Sequence, residues 1–271
     1  LKGWNPYLAC LKFLTDRSIS ALFSHLSGAP LTDWNKHMLK DRIDRIIFDA
    51  DDTLWENNIF YVEAERDIVN LIEKAGFSRE EISRRFDQAE RHVVEHYGYG
   101  SKNFILILEE LYEFYLKNIN TKEREKRYLE IVRRFEEHPN RTPLLFPGVK
   151  ETLQELRSSY DIYILTKGNY EEQLNKITLA GMLDFVDDYF IAEEKNDTYY
   201  QHILQERNWK PQRTCMVGNS PKSDINPALR LGMYAVYIPY EHTWKMDSET
   251  LMNTEDKLIT LAKFTELTTI L

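Results

Sequence analysis

The chain has 271 residues, 42% of them hydrophobic and 29% charged, which is room for one large domain or a domain with an insert. A formal net charge of −9 argues against a duplex nucleic-acid partner, which needs a basic face, and against adhesion to an anionic membrane. The 13 Phe, 16 Tyr and five Trp supply bulky core material and exclude global disorder.

Two cysteines, Cys10 and Cys215, are too few for a disulfide framework and read as free thiols of a reducing, cytoplasmic compartment. No segment approaches the roughly 18 apolar residues that span a bilayer. The apolar stretch from Tyr7 to Leu14 is short, contains Lys12 and lacks the pattern of a secretory signal. Residues 1–42 are expected to form an N-terminal extension of unassigned role, with a turn at Gly28-Ala-Pro30.

A β-branched and aromatic run, Ile43 to Phe48, predicts a buried strand ending at Asp49. Residues 57–143 are poor in Gly and Pro, and apolar residues recur there in steps of three and four, as at Phe104, Leu108, Leu111 and Tyr115. Breaks near Gly76–Ser78, Tyr97–Gly100 and Asn118–Thr121 divide the segment into about four amphipathic helices, a separate small bundle. Arg141–Gly148, with two prolines and a glycine, reads as the return linker.

Strands and helices then alternate. Strands are predicted at Asp161–Leu165, Tyr189–Ala192, Arg213–Val217 and Tyr234–Ile238. Helices are predicted at Val149–Ser158, Tyr170–Ala180, Asp197–Glu206 and Ile225–Leu231. This alternation predicts an α/β fold, a Rossmann-like, doubly wound parallel sheet covered on both faces. The core then comprises residues 43–56 and 144–271, interrupted by the helical insert at 57–143.

In such sheets ligands bind at the carboxyl ends of the strands. Four polar clusters fall there: Asp49-Ala-Asp51-Asp-Thr53, Thr166-Lys167-Gly168, Glu193-Glu-Lys195, and Gly218-Asn219-Ser220 with Asp224. Polar residues at strand ends are ordinary loop composition. Ordinary loops account less well for clustered carboxylates, a hydroxyl, a lysine and a second acidic group in this order. Asp49 and Asp51 repel unless a cation accompanies them, and an oxygen-rich set suits Mg²⁺. An Asp carboxylate is also a competent covalent nucleophile. Thr166 and Lys195 offer a hydroxyl and a positive charge to phosphoryl oxygens, and Lys167 is a further phosphate-binding candidate.

The segment Phe48-Asp-Ala-Asp-Asp-Thr-Leu54 resembles the first motif, Asp-x-Asp-x-Thr, of the haloacid dehalogenase superfamily. Thr166, Lys195 and Val217-Gly-Asn-Ser-Pro-Lys-Ser-Asp224 resemble its second, third and fourth motifs, in family order. The resemblance implies that residues 57–143 are a type 1 cap. It implies that Asp49 attacks phosphorus and binds Mg²⁺. Asp51 is then the general acid and base, its backbone carbonyl reaching the metal. Thr166 holds a phosphoryl oxygen, Lys195 balances charge between Asp49 and the phosphate, and Asn219 and Asp224 complete the metal site, directly or through water. Asn219 departs from the Asp that many relatives carry there, so Asp224 competes with it for the inner metal position. Because a halide leaving group needs no acid, the presence of Asp51 favours phosphate-ester hydrolysis over dehalogenation.

The expected activity is Mg²⁺-dependent cleavage of a small phosphorylated substrate through an aspartyl-phosphate. A phosphomutase, a dehalogenase or a catalytically weak binding protein are the alternatives. Trp55, Asn57, Asn58 and Tyr61 are either the substrate entrance or an aromatic hinge. Tyr97–Gly100 is either a plain helix–helix turn or a loop facing the site. His92 and His96, four apart on one helix, lack a third ligand for a metal.

Overall fold

At the centre lies Arg45–Phe48 (β1), whose residues Ile46, Ile47 and Phe48 are fully buried. A strand with consecutive buried apolar residues must be covered on both faces. Ile46 and Phe48 enter one core cluster, and Ile47, on the opposite face, enters another. The computed structural model describes residues 39–138, 141–252, 254 and 256–271. The extension expected at 1–42 therefore lies, up to residue 38, outside the described residues, as does Cys10.

Five further strands are Asp161–Lys167 (β2), Asp188–Ala192 (β3), Thr214–Gly218 (β4), Tyr234–Tyr237 (β5) and Leu258–Thr260 (β6). They form one parallel sheet in the order β3-β2-β1-β4-β5-β6. Phe48 is in register with Ile164 of β2 and Val217 of β4, so Asp49 leaves the sheet beside Leu165 and Gly218, the residues just before Thr166 and Asn219. The order reverses between β1 and β4. A crevice opens at such a switch point, beyond the carboxyl ends of the strands.

Helices Val149–Leu156 (α5), Tyr170–Leu179 (α6) and Leu267–Ile270 (α9) bury Leu153, Ile177 and Leu267 on one face of the sheet. Asp197–Glu206 (α7) and Asn226–Arg230 (α8) bury Tyr200, Ile203 and Ala228 on the other. The sheet is thus doubly wound, as the alternation predicts. Asn169 and Asn196 cap α6 and α7 by accepting the N–H groups of Glu172 and Tyr199, each cap adding about 1 kcal/mol.

Between β1 and α5 the chain makes four helices: Asn58–Glu73 (α1), Arg79–Tyr97 (α2), Ser101–Tyr115 (α3) and Lys122–Glu136 (α4). They share a core of their own around Ile68, Phe86, Leu108 and Phe135. Their breaks fall at the expected places. Gly76 and Gly98 supply left-handed backbone, with φ of 106° and 79°, and Thr121 caps α4.

Two features differ from expectation. Edge strand β6 has three residues, too few for a periodic signal. The helix expected at Ile225–Leu231 begins as a π-helical turn, Pro221–Ile225, before α8. That wider turn brings Asp224 back towards the strand end, because the N–H of Ser220 binds its Oδ2 at 2.9 Å. Among the described residues no helix is long and apolar enough to cross a membrane.

Where the four helices return to the core, His138 is buried against Phe60, ring centroids 3.9 Å apart. Burial, aided by the charge of Lys176, pushes its imidazole pKa down to about 4. The folded state therefore holds His138 neutral while the unfolded chain takes up a proton below its ordinary value near 6.5. Stability is retained above that pH and lost as pH falls from about 6.5 towards 4, by about 3 kcal/mol. Urea unfolding between pH 4 and 7 is expected to show this loss, and His138→Phe to flatten it.

Candidate active site

All seven residues expected at the site line one cavity of about 160 Å³ at the switch point: Asp49, Asp51, Thr166, Lys167, Lys195, Asn219 and Asp224. Asp49 follows β1, Thr166 and Lys167 end β2, Asn219 follows β4 and Asp224 lies on the π-turn. Lys195 follows β3, and its side chain reaches the Leu165 carbonyl of β2 and Asp49 after β1.

The Lys195 ammonium is buried, 2.6 Å from Asp49 Oδ1 and 2.5 Å from Asp224 Oδ1, and donates to the Leu165 carbonyl at 3.0 Å. Burial alone would lower its pKa, but Asp224 and Asp49 outweigh that and raise it, so it stays charged. Asp49 is pushed up to about 7, first by burial and then by repulsion from Asp224, against the pull of Lys195. One ammonium does not fully compensate two buried carboxylates.

The second Asp49 oxygen accepts from the Thr53 hydroxyl at 2.9 Å. Thr53 also reaches Asn219 Oδ1 at 3.4 Å, while Asn219 Nδ2 donates to Thr243 at 3.2 Å. Thr243 thereby turns the Asn219 amide oxygen towards Asp49. Gly218 makes the Asp224 position possible, because a Cβ there would lie 2.3 Å from Asp224 Oδ2.

The Asp51 side chain points elsewhere. Its carboxylate accepts from Lys176 at 2.6 Å, Trp55 Nε1 at 2.7 Å and Gln173 at 2.9 Å. Burial would raise its pKa, but Lys176 and these hydrogen bonds outweigh burial and hold it below its ordinary range. This leaves the backbone, not the carboxylate, as the part of Asp51 suited to a metal near Asp49. Asp52, at φ 65°, accepts the N–H groups of Asn57 and Asn58 and so caps α1, with its pKa raised to about 8 by burial above all. The loop after β1 is thereby tied directly to the four-helix segment. Lys167 is engaged by Asp247 at 2.8 Å and lies 4.5 Å from the centre of the Tyr99 ring.

Hydrogen bonds to the core hold the four helices over the cavity. Tyr99 donates to Glu194 at 2.7 Å, Glu172 accepts the Ser101 hydroxyl and N–H at 2.9 Å, and Trp244 donates to Glu90 at 2.8 Å. The Tyr97–Gly100 turn thus faces the site, and Asn57, Asn58 and Tyr61 line it. Lys222 is an exposed loop charge bound to the Met246 carbonyl. Among the described residues no three His, Cys, Asp or Glu side chains converge as a metal ligand set. The oxygens on hand are two carboxylates, one amide and backbone carbonyls, a hard donor set.

The family model of haloacid dehalogenase-like hydrolases matches residues 43–232. The chain belongs to this family. This HAD-like hydrolase is 25% identical over 218 residues to a glyceraldehyde 3-phosphate phosphatase of Methanothermobacter thermautotrophicus, covering 73% of this chain and 86% of the relative. It is 27% identical over 206 residues to a protein of the same name from Methanocaldococcus jannaschii, covering 72% and 85%. The structure of a haloacid dehalogenase-like family hydrolase from Xanthomonas campestris superposes with a TM-score of 0.67 at 26% identity, covering 84% of this chain and 93% of that one.

Sequence reasoning passed over Lys176 and Gln173, the two residues of this HAD-like hydrolase that grip Asp51. A signal was available: both stand on the inward face of α6, at positions otherwise filled by Ile177 and Ala180. Removing a buried ion-pair partner leaves a charge uncompensated. Lys176→Met is expected to destabilise the fold by about 3 kcal/mol, and adding Asp51→Asn to recover a large part. Urea unfolding of the single and double variants checks this.

Proposed function

We propose that the protein is a Mg²⁺-dependent phosphohydrolase that cleaves a small phosphorylated metabolite through an aspartyl-phosphate on Asp49. The observation that carries this reading is the convergence of Asp49, Thr166, Lys195 and Asp224 on one cavity, with Asp51 beside Asp49 and separately held. The phosphatase names of the curated relatives support it. The substrate in their name, a three-carbon aldehyde phosphate, is of a size that suits the cavity.

The donor set fits Mg²⁺, which would be held by Asp49, the Asp51 carbonyl, Asn219 and Asp224, directly or through water. When bound it would neutralise charge on the phosphoryl group and relieve the repulsion between Asp49 and Asp224. Thr53 and Lys195 fix the two oxygens of Asp49, so that its carboxylate is oriented before substrate arrives. The Asp49 oxygen bonds to phosphorus as the P–O bond to the leaving group breaks. A proton from Asp51 goes to the departing oxygen. Water then cleaves the aspartyl-phosphate, with Asp51 taking its proton, and phosphate leaves. Thr166 and Lys195 hold phosphoryl oxygens. Lys167 joins them on release from Asp247. Ionised and gripped by Lys176, Asp51 is set in this arrangement for the base half of the cycle, and the proton it takes from water there is the one it gives to the next leaving group.

Residues 57–143 act in this reading as a type 1 cap that closes over the site and excludes water. The buried free thiol of Cys215 agrees with a reducing, cytoplasmic setting.

Asp49→Asn is expected to reduce Mg²⁺-dependent hydrolysis of p-nitrophenyl phosphate by 10³-fold or more, on the order seen for other covalent nucleophiles. Full activity of that variant would refute the nucleophile. Asp51→Asn is expected to slow an alkyl phosphate on the order of 10²-fold or more, and p-nitrophenyl phosphate less, because the latter's leaving group needs no proton.

A further inference from the structure

The three lysines in the cavity wall already have anionic partners. Lys195 lies between Asp49 and Asp224, Lys176 binds both oxygens of Asp51 and the Asn57 amide oxygen, and Lys167 pairs with Asp247. Among the described residues seven carboxylates line the same cavity against these three ammonium groups, and no arginine or histidine does. A metal ion and a phosphoryl dianion would offset each other and leave the acidic surplus in place.

The surplus extends to the wall that the leaving group must face. The helices over the site contribute apolar surface from Val94, Phe104 and Ile107, the polar Asn103, and the carboxylate of Glu90. Asn103 commits its amide nitrogen to the carbonyls of Tyr97, Gly98 and Tyr99, which leaves its oxygen to accept. Glu90 takes the Trp244 N–H on one oxygen, and its pKa is raised, by burial first. Apart from the Tyr61 hydroxyl, this wall therefore presents hydrogen-bond acceptors and apolar surface and, among the described residues, no unpaired cation. A neutral hydroxyl-bearing group finds acceptors here. A carboxylate or second phosphate would lose its hydration with no positive partner, beside Glu90.

We propose that the substrate is a phosphate monoester whose leaving group carries no negative charge, a polyol or hydroxyaldehyde, and that esters with a second anionic group are rejected by the acidic wall around Glu90. This rests on the phosphohydrolase reading. It sets phosphorylated carboxylic acids and bisphosphates outside the substrate range.

The test compares two esters that differ at one terminus, glycerol 3-phosphate and 3-phosphoglycerate, using the full chain with Mg²⁺. The neutral ester is expected to show kcat/KM roughly 100-fold higher, in line with the cost of placing like charges together at a binding surface. Glu90→Gln, and separately Val94→Arg, which adds a cation beside Glu90, are each expected to narrow that gap about tenfold by raising the rate on 3-phosphoglycerate. Thermal unfolding verifies that each variant is folded. Equal turnover of both esters by the unaltered protein, or variants that leave the ratio unchanged, would overturn the inference while leaving the phosphohydrolase intact. No turnover of either ester or of p-nitrophenyl phosphate would overturn the phosphohydrolase reading itself.

Discussion

One buried ammonium group organises this molecule. Lys195 bridges Asp49 and Asp224, which come from opposite sides of the switch point and would otherwise repel each other out of the crevice. Taking three charged groups out of water is costly, and the arrangement survives because each has further partners: Leu165 O for Lys195, Thr53 for Asp49 and the Ser220 N–H for Asp224. The residual imbalance is what the proposed mechanism uses. Two carboxylates on one lysine leave a place that a divalent cation suits.

The fold is what makes this bridge affordable. A parallel sheet delivers four strand ends to one edge, and register places the end of β1 beside Ile164 of β2 and Val217 of β4, each two residues before a site residue, Thr166 and Asn219. The π-turn after β4 and the absence of a side chain at Gly218 then let Asp224 fold back against its own strand. A second lysine, Lys176, repeats the device for Asp51 and separates the roles of two aspartates that stand two residues apart. Asp49 is turned to Lys195 and Thr53, Asp51 to Lys176, Gln173 and Trp55. Asp52, the next residue, caps α1 and couples this loop to the helices above it.

Those helices contribute specificity by what they lack. Their surface over the cavity is apolar or acceptor-rich, and the ion pairs of the segment, such as Arg85 with Glu110 and Arg127 with Glu123, lie outside the cavity lining. The linkage Tyr99–Glu194, Ser101–Glu172 and Trp244–Glu90 holds this surface over the strand ends. The same Glu90 that anchors Trp244 thereby sets the charge of the wall.

Much of this was legible in the chain. Buried strands and amphipathic helices carry their periodicity locally, so five of six strands and the four-helix segment could be placed, as could the strand-end clusters that hold Asp49, Thr166, Lys195 and Asp224. The three-residue β6 is shorter than any period, and the π-turn at Pro221–Ile225 depends on where Asp224 lands, so neither left a local trace. Lys176 and Asp247 were unreadable as partners because an ion pair between residues 125 or 80 positions apart is created only when the chain closes on itself. By itself the sequence determined which residues are chemically able to act, because side-chain type and backbone periodicity are local properties. Only the tertiary structure decided which charges neutralise which, and hence the polarity of the cavity wall, because electrostatic compensation in a buried site depends on distance in space.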